Sequence, residues 1–81
     1  MNIEEKKTIL KPIWEMYWDE LFNLSYLLTL DEVRSEGIVV EAYFYLYKQM
    51  IQGMTEHNNI KAFLYCYVRN HALQSLRSQI H

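Results

Sequence analysis

Residues 59–78 read NIKAFLYCYVRNHALQSLRS, with no glycine, no proline and no acidic residue. At about 100° per residue, Tyr65, Val68, Ala72, Leu76 and Ile80 fall on one stripe, the pattern of a helix with one buried face. The opposite face collects Phe63, Tyr67, Asn70, His71, Gln74 and Arg77. Rings, amides and cations on one outer face suit stacking on bases, reading base edges and holding phosphates. The plainer reading of that face is a solvated surface with two aromatics tucked against neighbours. Asn58 or Asn59 is placed to cap this helix, which is expected over about 58–78.

Upstream, QGMTEHNN (residues 52–59) breaks the pattern with Gly53 and several capping residue types. Before it lies a second expected helix, over 31–52. Asp31 is its cap, and Glu32 and Glu36 favour its positive end. The middle of this helix is apolar most of the way round, through Val33, Val39, Val40, Tyr43, Phe44, Leu46, Tyr47, Met50 and Ile51. Such a helix is buried on more than one side, and in so small a chain a partner is expected to supply part of that burial. A first helix is expected over 12–29, opened by Pro12 at its first turn. Trp14, Tyr17, Trp18, Leu21, Leu24 and Leu28 form its apolar stripe. Residues 3–10 are expected to make a short separate helical turn ahead of it, or the same helix bent at the proline.

The remaining composition agrees. The chain has 81 residues, enough for one domain. Glycine and proline total three, far below the usual share of about 12%, so an all-β fold lacks its turns. Seven tyrosines, three phenylalanines and two tryptophans exceed what a small core easily buries. One cysteine excludes an internal disulfide. The first residues carry no apolar leader, and no uncharged run approaches the roughly 20 residues that span a bilayer. A soluble, cytoplasmic protein with no membrane partner is expected. Net charge is −2, but it is divided unevenly. Residues 1–56 hold all ten acids against five cations, a net −5, while residues 57–81 hold Lys61, Arg69, Arg77 and all three histidines, a net +3. That polarity suggests that the C-terminal segment meets an anion.

Catalysis finds little support. His57, His71 and His81 offer no pair at helical ligand spacing. Cys66 and His71 point about 140° apart on one helix, which separates them as a dyad. Cys66 is expected to be a half-buried thiol. Gly37 and Gly53 are isolated and form no phosphate loop. No enzyme activity, cofactor or metal is expected.

Three segments in order carry a family resemblance. Residues 17–28, YWDELFNLSYLL, residues 36–49, EGIVVEAYFYLYKQ, and residues 59–78 together resemble the second region of extracytoplasmic-function sigma factors of the Bacteroidetes type. In the last segment Lys61, Ala62, Phe63, Leu64, Tyr65, Arg69, Asn70, Ala72, Leu73, Leu76 and Arg77 match the family pattern. The resemblance covers nearly the whole chain and implies an all-α, three-helix region-2-like bundle. It implies binding to the clamp coiled coil of RNA polymerase core, and melting and recognition of the −10 promoter element on the non-template strand. Flipped bases would be captured by the third helix and the loop at 54–59. On this resemblance Phe63, Tyr67, Asn70, His71 and Gln74 lie along the DNA, and Lys61, Arg69 and Arg77 hold phosphates. The polymerase face comprises Gly37, Val40, Glu41, Phe44, Tyr47 and Lys48. Gly37 and Val40 replace the family's Asp and Gln, so the expected patch is more apolar, built on Val40, Phe44 and Tyr47. An anti-sigma factor is a further partner the family implies. Complete members add a −35-reading domain, and none is expected within these 81 residues. The alternative is a degenerate sigma-like interaction module that binds a regulator or forms a homodimer.

Overall fold

A computed structural model of the chain describes residues 3–53 and 60–79, with side chains over 11–53 and 60–78. Three helices follow one another: α1 (Ile3–Thr29), α2 (Glu32–Ile51) and α3 (Ile60–Gln79). There is no strand among the described residues. The expected all-α class is therefore found. The chain runs up, down and up. Trp14 near the middle of α1 stacks on Tyr43 of α2, and Thr29 at its end bonds Ser35 near the start of α2. On the way back, α3 meets α2 through Tyr45–Phe63 and then Arg34–Ser75.

Of the two arrangements expected ahead of Pro12, the separate turn is corrected and the continuous helix is found: α1 is one helix of 27 residues that passes through Pro12. A proline fixes φ near −65°, which is helical, and removes a single N–H from the ladder. Its ring also crowds the carbonyl four residues back, yet the helix continues on both sides of it. The turn into α2 was legible only in part. Asp31 does cap α2, in extended backbone with its carboxylate accepting from the Arg34 N–H at 3.0 Å. Ahead of it Leu30 stands at φ 55°, a left-handed conformation that strains a branched residue. A buried hydroxyl network secures the turn. Thr29 Oγ1 donates to the Ser25 carbonyl at 2.9 Å, lies 2.9 Å from Ser35 Oγ and accepts from the Asp31 N–H. Past α2, Gly53 takes φ 111°, where any side chain would be strained. The expected cap at Asn58 or Asn59 and the loop at 54–59 lie outside the described residues.

The core is one cluster. Leu21 comes from α1, Ile38, Val39, Ala42, Tyr43, Leu46 and Met50 from α2, and Ile60, Leu64, Val68 and Ala72 from α3. The α3 stripe is thus centred on Leu64 rather than on Tyr65 and Leu76, which lie half-buried. The Tyr65 hydroxyl donates to the Glu20 carboxylate, which keeps its ring at the margin. The bundle is long, at 45 × 20 × 19 Å, and its radius of gyration of 13.3 Å exceeds the roughly 12 Å of a rounder domain this size. Each helix therefore keeps a long outer face.

Candidate functional site

Phe63, Tyr67 and His71 are four residues apart on α3 and so form one row. Ring centroids lie 6.5 Å apart for Phe63–Tyr67 and 4.1 Å for Tyr67–His71. All three residues are half-buried, and Tyr45 of α2 lies against the first two. Tyr45 is stacked on Phe63 at 5.5 Å, nearly coplanar in orientation, and on Tyr67 at 5.4 Å. The Tyr67 phenol is raised above its ordinary pKa, by burial first and then by Glu41 and Tyr45. The row expected to stack on bases thus spends part of its surface on α2. A carboxylate close enough to act on Tyr67 also opposes an approaching phosphate.

The polar part of the face is separate. Asn70, Gln74 and Arg77, with Leu73, line a shallow concavity of about 250 Å³. That is below the roughly 300–1,000 Å³ of small-molecule pockets, and suits one group laid across the surface. Two amides and a guanidinium offer donors and acceptors in one place. Arg69 is exposed. Lys61 stands apart, its ammonium 5.6 Å from the Tyr65 ring centre on the side toward α1. Two residues of helix separate it from Phe63, about 160° of rotation. The eight residues expected to contact DNA therefore divide three ways: a stacked row, an amide–guanidinium notch, and cations on other faces. Cys66 is exposed, which corrects the half-buried thiol. On an outward-facing position of a three-helix bundle no neighbour reaches it. No cluster of metal-binding side chains occurs among the described residues, and no helix among them is long and apolar enough to cross a membrane.

The outer face of α2 holds a second, apolar surface. Val33 is 82% exposed, Phe44 61% and Ile51 44%. Val40 and Tyr47 are half-buried, and Gly37 is exposed. Val33, Gly37, Val40, Phe44, Tyr47 and Ile51 are spaced 4, 3, 4, 3 and 4 residues apart. This is the a/d spacing of a helix that packs lengthwise on another helix. Glu36, Glu41 and Lys48 flank the seam, all exposed. Every expected polymerase-facing residue lies on or beside this seam.

Two features escaped the sequence reading. The heptad spacing was present in the letters, but the apolar residues of α2 were counted together rather than divided between core and seam. Tyr45 carried no local signal, since only the packing of α2 on α3 brings it to Phe63 and Tyr67. Comparison with protein-family models, curated proteins and solved structures gives no match.

Proposed function

We propose that this chain is a sigma-type transcription-initiation domain that docks through α2 on the coiled coil of the polymerase clamp and offers α3 to promoter DNA. The observation that carries the reading is the exposed heptad-spaced seam, which lies in the segment that resembles the family's polymerase-binding helix. A coiled coil is the natural mate of such a seam. On α3, the absence of any acid and the notch of Asn70, Gln74 and Arg77 support contact with a polyanion whose base edges are within reach. The notch, rather than Phe63 and Tyr67, is the centre of that contact.

A titration of fluorescent single-stranded, T/A-rich DNA at low salt tests the α3 half of the reading. Lys61, Arg69 and Arg77 neutralise about three phosphates, so log affinity should fall with log salt at a slope near −2. Asn70→Ala and Gln74→Ala should blur base preference, and Arg77→Ala should weaken binding to all sequences. Binding that ignores all three substitutions contradicts the DNA role.

A second reading is a sigma-like interaction module that contacts a regulator or its own copy. The position of Glu41 and Tyr45 beside the aromatic row favours it, because both oppose nucleic acid there. Failure to bind DNA with polymerase core present, together with retained helix binding at the α2 seam, selects this reading.

A further inference from the structure

Gly37 interrupts the apolar seam with open space. A side-chain carbon built on it meets nothing within 4 Å, and its neighbours along the seam are Val33 and Val40. We propose that the seam takes one amphipathic helix of another protein, which presents a bulky apolar side chain opposite Gly37, bracketed by basic residues. This rests on the docking reading of α2 and adds the chemistry of the mate.

The 4, 3, 4, 3, 4 spacing makes the mate a helix lying lengthwise. Within such a pairing each seam position is a hole to be filled, and a hole left empty forfeits its contacts. Gly37 alone along the seam carries no side chain, and the space beside it is open, so a large knob fits opposite it. The charges set the rest. Glu36 and Glu41 are exposed on the two flanks of the seam around Gly37 and Val40; on the Glu41 flank Arg34, one heptad earlier, turns its guanidinium to Ser75 of α3, and Lys48 lies one heptad later. A mate with Lys or Arg on both sides of its knob, and an acid near Lys48, matches these charges and the direction they impose.

A second copy is a poorer mate. Paired antiparallel about the midpoint of the seam, it would set Glu41 beside the Glu41 of that copy. Paired in parallel, Glu36 would meet Glu41 across the interface. Both are like-charge contacts at the positions that select coiled-coil partners.

Synthetic helical hairpins with an apolar heptad seam provide the probe. One series carries Phe or Ala opposite Gly37, bracketed by two Lys or by two Glu, and affinity is read by fluorescence anisotropy. The Phe–Lys hairpin should bind at least tenfold tighter than the Ala–Lys and Phe–Glu hairpins. Gly37→Leu should erase the advantage of Phe, and Gly37→Ala should reduce it, with melting temperature unchanged or raised in both. Equal binding of the Phe and Ala hairpins, preference for the Glu bracket, no binding of any hairpin, or a Phe advantage that survives Gly37→Leu overturns the proposal. So does a chain that sediments as a dimer dissolved by Phe44→Ala. Failure of the sigma reading is distinct: the clamp coiled coil would then go uncaptured while the hairpins are still discriminated.

Discussion

Ser25 is buried with its hydroxyl unpartnered, while Thr29 and Ser35 nearby satisfy one another. A buried hydroxyl without a partner costs about 1–3 kcal/mol, and alanine is the better helix former. Ser25→Ala should therefore stabilise the bundle by about 1 kcal/mol in urea unfolding, and destabilisation would mean the hydroxyl is paired. Leu64 and Phe44 make the opposite contrast. Leu64 is fully buried and Phe44 lies 61% exposed. Leu64→Ala should cost about 2–5 kcal/mol, and Phe44→Ala should stay within about 0.5 kcal/mol. Comparable losses at both positions would place Phe44 in the core. At this scale the sequence was legible where a residue's role depends on its own helix, as with Asp31 and Leu21. Tyr45 was not, because its role is set by which helix packs beside it, and neither was Ser25, whose burial no hydropathy pattern announces.

Among the elements, α2 presents two apolar faces. Its inner face joins the core, and its outer face is the seam. The apolarity of both sides was legible in the sequence, but within this chain only the inner side is buried and the outer one is exposed. The division into two faces needed the bundle, since only a packed neighbour tells Tyr43 from Phe44. Pro12 misled for a related reason: proline is a good opening residue, but nothing local says whether a helix already runs before it. The start of α2 is firmly signalled and can be tested there. Asp31→Ala removes the bond to the Arg34 N–H and should cost about 1 kcal/mol, read as a lower urea midpoint. No change would mean that the Thr29 network alone sets the turn.

For the molecule as a whole, the tyrosines link packing to pH. Tyr65 is pushed up to about 12, chiefly because its hydroxyl donates to Glu20. Burial raises Tyr43 further, and Tyr43 also donates to the Trp14 carbonyl at 2.9 Å. Tyr67 is raised as well. A phenol whose pKa is higher when folded contributes stability that is fully present below its unfolded value, near 10, and is lost as pH rises through the folded value. An alkaline absorbance titration should thus show a late phase for Tyr43, Tyr65 and Tyr67, with helicity falling between about pH 10 and 12. A single step near 10 with helicity intact would contradict the packing. The charge division along the chain belongs to this scale too. It was legible in the sequence, but its geometry was not: Lys61 lies over Tyr65 while Arg77 lines the notch. The proposed docking of a coiled coil on the exposed α2 seam is tested most directly by calorimetric titration of the polymerase clamp coiled coil into the folded chain. Wild-type protein should bind, and Phe44→Ala combined with Glu41→Lys should weaken binding at least tenfold with the melting temperature unchanged. Undiminished binding by that variant, or no binding by the wild type, would contradict it.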